Sequence, residues 1–167
     1  KNNFPISVDN SKNNYLSFMS DLDFSITSKD FKDGEEIPKD CGYKHGNRQP
    51  ILDFNEENLT NYFALIMDDP DAMKAVGKVW VHWLMCNMLL PEHEDEADLS
   101  TIYGKTDFGE TKYGGPAPPD GKHTYVFKAY AIDTFLDLKE GFSKQELEDA
   151  MKGHILAEAK LTGTFAP

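Results

Sequence analysis

The stretch YGGPAPPDGKHTYVFKAYAID, residues 113–133, decides the fold. Its second half alternates. Tyr125, Phe127 and Ala129 fall on one side of the chain, and Thr124, Val126, Lys128 and Tyr130 on the other. A period of two belongs to a strand whose two faces meet different surroundings. Its first half ends a glycine- and proline-rich segment, residues 104 to 122, which reads as an ordered loop. Outward from there, YFALIM at 62–67 is a strand-like run, apolar on both faces, and Lys78 to Leu90 is another that carries both tryptophans. Phe24-Ser25-Ile26-Thr27 alternates, and Leu161 to Phe165 reads as a closing strand. One helix is signalled: Ser143 and Glu146 form a capping box, followed by Leu147, Ala150, Met151, His154 and Ile155 at helical spacing. Residues 29 to 50 are polar and rich in turn formers, which predicts a long irregular connection. Many strands and few helices predict a mainly β protein, a β-sandwich with peripheral helices.

The 167 residues are read as a single domain, 1–167. A chain of that length buries about 70% of its unfolded surface and folds without a metal or disulfide staple. Lys and Arg number 17 against 29 Asp and Glu, a formal charge of −12. That balance argues against nucleic acid, whose phosphates require clustered cations, and against anionic membrane surfaces. No apolar run approaches the roughly 20 residues of a membrane span. Glu92 to Asp98 is an acidic surface segment, and His93 within it reads as solvated rather than metal-binding. Cys86 lies in an apolar run and is expected to be buried; Cys41 precedes Gly42 in a polar loop and is expected to be exposed, with a bridge between the two as the alternative. The chain begins at Lys1 and is read as trimmed or processed. No signal peptide is visible, so a cytoplasmic location is expected, with a cleaved export signal left open.

Three segments concentrate polar groups beside apolar runs. Asp68-Asp69-Pro70-Asp71 directly follows the strand ending at Met67, and its three carboxylates repel one another unless neutralised. In Trp80-Val81-His82-Trp83, alternation places Trp80, His82 and Leu84 on one face and Val81 and Trp83 on the other. In the Gly/Pro loop, glycines let backbone N–H groups approach an anion, and His123 and Tyr125 beyond it share a strand face. Each has an ordinary structural reading as well: a solvated turn, a core histidine bonded to backbone, a plain loop. His154 on the apolar helix face reads as a core or pocket-rim histidine. No nucleophile elbow, phosphate-binding P-loop or H-E-x-x-H helix is present.

Taken in order, these motifs resemble the phosphatidylethanolamine-binding protein family, also called the Raf kinase inhibitor protein family, in its short bacterial and archaeal branch. They are Asp69-Pro-Asp-Ala72, Trp80 to Trp83 around His82, Asp107-Phe-Gly109, Tyr113-Gly-Gly-Pro116, Pro118-Pro119, His123-Thr-Tyr125 and Gly153-His-Ile-Leu156, and they cover roughly residues 20 to 165. The resemblance implies an antiparallel sandwich with Greek-key features and a small anion pocket at one end. Asp69, Asp71, His82, Pro118, His123 and Tyr125 would form the pocket, with Ala117 and Pro119 in its wall. It implies phosphate, a phosphoryl head group or another small anion as ligand; no cofactor is expected, and no metal on His82, His123 and an Asp. It also implies a kinase or protease as protein partner, a homodimer, and a regulatory or inhibitory role. Three positions depart from the pattern: Met73 replaces a proline, Ala117 a cysteine of the bacterial branch, and Thr124 an arginine.

Two aspartates beside two histidines suit an anion only if the carboxylates hold the imidazoles charged or in fixed tautomers. The ligand is then expected to meet His N–H, loop N–H groups and the Tyr125 hydroxyl, more tightly as pH falls. A water-using hydrolase built on the same groups is the enzymatic alternative, and a protein-interaction module the third.

Overall fold

The computed structural model describes residues 24–55, 62–89 and 100–167. The acidic segment Glu92–Asp98, with His93, lies outside them. Five strands form the main sheet: β3 (Tyr62–Asp69), β4 (Trp80–Met88), β5 (Ile102–Tyr103), β6 (His123–Ile132) and β7 (Ile155–Phe165), in the order β5-β4-β3-β6-β7. Every pairing between them is antiparallel. β1 (Ser25–Ser28) and β2 (Leu52–Asn55) pair antiparallel as a second, two-stranded sheet. Helices α1 (Ala72–Val76) and α2 (Lys144–Met151) lie between strands in the chain. The mainly β, two-sheet architecture with few helices is therefore present.

The main sheet is buried on both faces, so its central strand reads as an unbroken apolar run. On one face Phe63, Leu65, Met67, Trp83, Met85, Phe127 and Ala129 pack with Ile26 of the second sheet and with Phe24 just before it. On the other, Ala64, Ile66, Leu84 and Cys86 pack with Leu136, Phe142, Leu147 and Met151. α2 opens on the expected capping box: Ser143 Oγ accepts from Glu146 N–H, and Glu146 accepts from Ser143 N–H. It stops at Met151, four residues earlier than its spacing predicts. Gly153 takes a left-handed φ of 79°, which ends a helix. His154 consequently leaves the helix and hydrogen-bonds Asp133 at 2.8 Å. Ile155 is exposed and starts β7.

Two further expectations change. Cys41 is wholly buried rather than exposed; both cysteines are free. Burial pushes the Cys41 thiol up to about 11 and the Cys86 thiol up to about 12, so neither is a nucleophile at neutral pH. The faces of β4 do not alternate as expected either. Met67 pairs with Trp83 and Asp68 with Val81, so His82 is an extra residue, a β-bulge. The bulge lets Val81 and Leu84 share one side while Trp83 turns to the other, beside Tyr113. His82 is thereby aimed at Tyr125, their ring centroids 5.1 Å apart.

Candidate functional site

The three carboxylates of the Asp68–Asp71 turn are neutralised separately. Asp68 is buried and takes Lys128 Nζ at 3.2 Å and Lys144 Nζ at 3.0 Å, on the helix-covered side of the sheet. Asp71 Oδ2 is outside, where it accepts Thr124 N–H at 2.8 Å. Asp69 is buried, and Pro70 after it holds it extended. Its Oδ1 accepts from Asp71 N–H and Ala72 N–H, and its Oδ2 meets His123 Nδ1 at 2.7 Å. The other ring nitrogen of His123 meets Asp120 Oδ1 at 2.6 Å. Burial alone would lower the His123 pKa, but the two carboxylates outweigh it and the value is raised. His123 is therefore the centre of a carboxylate–imidazolium–carboxylate chain.

His82 is the opposite case. Its Nδ1 donates to the Gly114 carbonyl at 2.7 Å, and Gly114 N–H returns a bond to the His82 carbonyl. Burial dominates and lowers its pKa. A neutral ring that donates from Nδ1 carries its lone pair on Nε2. The Asp107-Phe108-Gly109 turn fixes the strand beside it. Asp107 accepts Val81 N–H at 2.7 Å and Lys78 Nζ at 2.6 Å. Phe108 then lies edge-on to His82 and to Trp80, and stacks on Tyr43 at 4.1 Å.

The Gly/Pro loop is set by backbone contact. Asn47, in a left-handed conformation, accepts Gly115 N–H and donates to the Tyr113 carbonyl. A Cβ on Gly115 would stand 2.0 Å from the Cys41 carbonyl oxygen, so the two loops touch only because the side chain is absent. Gly115→Ala should cost about 3 kcal/mol of stability in urea unfolding; a variant as stable as the parent would show the contact to be dispensable.

These elements enclose a cavity of about 140 Å3, walled by Asp69, Ala72, Ala75, Val76, Trp80, His82, Phe108, Ala117, Pro119 and Tyr125. Of the residues expected from sequence, Asp69, His82, Ala117, Pro119 and Tyr125 line it. Asp71, Pro118 and His123 do not: Asp71 braces the start of β6, Pro118 is buried, and His123 stands behind Asp69. His123 N–H groups were expected to meet the ligand; both face carboxylates instead. Sequence reasoning missed Phe108, Trp80 and the α1 wall as lining residues, and Asp120 as the second partner of His123. The Asp107-Phe-Gly109 motif and the position of Asp120, three residues before His123, were the available signals.

The wall is mostly apolar, with Asp69, His82 and the Tyr125 hydroxyl as its polar groups. The Tyr125 hydroxyl is buried without a hydrogen bond of good geometry, though the Ala117 backbone and the Asp69 carboxylate lie near enough to perturb it. Burial raises its pKa, so it remains a proton donor. The buried Trp80 indole N–H is likewise unpartnered. Among the described residues no cluster of three His, Cys, Asp or Glu side chains is placed to hold a metal, and no helix is long and apolar enough to cross a membrane.

A model of the phosphatidylethanolamine-binding protein family matches residues 27–166. A UPF0098 protein of Methanothermobacter thermautotrophicus is 44% identical over 144 residues, covering 81% of this chain and 93% of that one. A UPF0098 protein of Chlamydia muridarum is 37% identical over 145 residues, 84% and 97% of the two chains. Among solved structures, a phosphatidylethanolamine-binding protein homologue from Chlamydia trachomatis superposes with a TM-score of 0.76 at 35% identity, over 85% of this chain and 96% of that one. E. coli YbcL gives 0.74 at 25% identity, over 85% and 97%. With the matched model spanning most of the described sheet and these relatives covering most of both chains, this chain belongs to the phosphatidylethanolamine-binding protein family.

Proposed function

We propose that the cavity binds one small anion, an oxyanion or a single phosphoryl head group, and that the protein acts through that bound state. The buried Tyr125 hydroxyl carries this reading: it has no hydrogen bond of good geometry, although the Ala117 backbone and the Asp69 carboxylate lie near it. An O–H kept from water without an acceptor costs about 1–3 kcal/mol, and a ligand oxygen relieves it. Asp69 does not oppose the anion strongly, because its two oxygens already take two backbone N–H groups and the His123 imidazolium. Trp80 N–H supplies a second donor. His82 supplies a third once Nε2 takes up a proton, and Nδ1 stays on Gly114. The apolar remainder of the wall excludes water and strengthens each of these bonds.

Calorimetric titration with sulfate tests the reading. One ion should bind per chain. Tyr125→Phe, which removes the hydroxyl and keeps the ring, should weaken binding at least about tenfold. Equal affinity in the variant would remove the hydroxyl, and with it the basis of this reading. Adding free phosphorylethanolamine to the same titration separates a phosphoryl head group from a simple oxyanion by which ligand binds more tightly.

A further inference from the structure

We propose that a second cavity, between the two sheets, binds a small neutral apolar molecule that carries one hydrogen-bond acceptor. The second sheet has two strands against five in the main sheet, and among the described residues no strand follows β2 in it. It therefore covers only part of the main sheet's face. At the β4–β5 end a cavity of about 390 Å3 lies between them. Leu52 and Phe54 of β2 wall it on one side, and Trp83, Met85 and Met88 of β4 with Tyr103 of β5 on the other. It shares no lining residue with the anion cavity, so it is a separate site.

The wall sets the class of molecule. Its volume falls within the range of small-molecule sites, about 300–1,000 Å3. No Asp, Glu, Lys, Arg or His lines it, in a chain of which 28% is charged. An ion placed there would lose its hydration and meet no opposite charge, so the site takes neutral molecules. Leu52, Phe54, Met88 and Tyr103 are only partly buried. Their remaining apolar surface is what an occupant would remove from water. Phe54, Trp83 and Tyr103 give it flat, rigid walls, and the two methionines adapt to the shape of the guest.

Trp83 sets the polar requirement. It is 2% exposed, and its indole N–H is buried without a hydrogen-bond partner. That group only donates, so an acceptor is what relieves it: a carbonyl, ester or ether oxygen. A carboxylate would bring the acceptor but also a charge that no cation in the wall offsets. The His82 bulge is what turns Trp83 to this side of the sheet. One register shift thus gives the anion cavity its histidine and the second cavity its donor.

Cyclohexanone, a neutral ring with one carbonyl, tests the proposal by NMR titration of isotope-labelled protein. The chain has two tryptophans, and each indole N–H reports one cavity: Trp80 the anion cavity, Trp83 this one. Trp80→Phe assigns the two signals. One molecule should bind per chain, with a Kd near about 1 mM. The Trp83 indole proton should move downfield as it meets the carbonyl, and the Trp80 proton should stay. Methylenecyclohexane, the same shape without the oxygen, should produce no such downfield shift. Trp83→Phe, followed through the Met85 and Met88 methyl signals, should bind cyclohexanone at least about fivefold more weakly. If that variant does not fold, the wild-type titrations decide. Absence of saturable binding overturns the proposal. So does a shift at Trp80 in place of Trp83, the same shift with methylenecyclohexane, or equal affinity in a folded Trp83→Phe. Sulfate should bind equally with and without saturating cyclohexanone; competition between them would place the ketone in the anion cavity and overturn the second site. The two cavities therefore succeed or fail separately.

Discussion

Asp69→Ala should destabilise the fold by about 3–5 kcal/mol, because it leaves one partner of a buried, hydrogen-bonded charge pair behind. Three bonds end with the side chain: those from Asp71 N–H, Ala72 N–H and His123 Nδ1. The His123 ring is buried and keeps only Asp120, whose carboxylate is half exposed. The loss is pH-dependent with a definite sign. His123 has a folded pKa above its unfolded value, so its contribution is complete below about pH 6.5 and vanishes as pH rises through the folded value. The gap between wild type and Asp69→Ala should be widest near pH 6 and narrow above it. Asp69→Asn retains an acceptor for the two backbone N–H groups and should cost less. Urea unfolding at pH 6 and pH 8 checks both statements. A variant within about 1 kcal/mol of wild type at pH 6 would mean that the imidazolium chain is not a structural element.

Sulfate affinity should rise by up to about tenfold for each pH unit of acidification between pH 8 and the free-state pKa of His82. The free ring is neutral because burial depresses that pKa. An anion bound beside it favours the imidazolium, so binding and protonation are coupled through one nitrogen, Nε2. Below the depressed value the ring is already charged and the dependence flattens. Sulfate does not itself titrate in this range, so the slope belongs to the protein. His82→Gln should bind weakly and with little pH dependence. His123 is not expected to produce this slope, because both its ring nitrogens face carboxylates, Asp69 and Asp120, rather than the cavity.

Much of this was legible in the residues, for physical reasons that differ by segment. β6 declared itself because Tyr125, Phe127 and Ala129 contrast with Thr124 and Lys128, a contrast only a strand with unequal faces produces. α2 declared its start through Ser143 and Glu146, but its end depended on Gly153, which the apolar spacing of His154 and Ile155 obscured. The His82 bulge was hidden because Trp80-Val81-His82-Trp83-Leu84 has no polar and apolar contrast from which to count faces. α1 has five residues and exposes Met73 and Val76; a helix that short has little pattern of its own. The motif residues Asp69, His82 and Tyr125 line one cavity. His123 belongs to the same constellation but one layer back, a distinction that required the position of Asp120 in space. Cys41 looked exposed because its neighbours are polar, yet the close approach of Gly115 seals it.

The proton count on anion binding tests the central claim most directly. Sulfate calorimetry at pH 7 in two buffers of different ionisation enthalpy gives the number of protons taken up per ion bound. Uptake of about one proton in wild type, and about none in His82→Gln, is the result predicted from a cavity in which His82 is neutral when empty and charged when filled. Saturable binding with no proton uptake in wild type would contradict it.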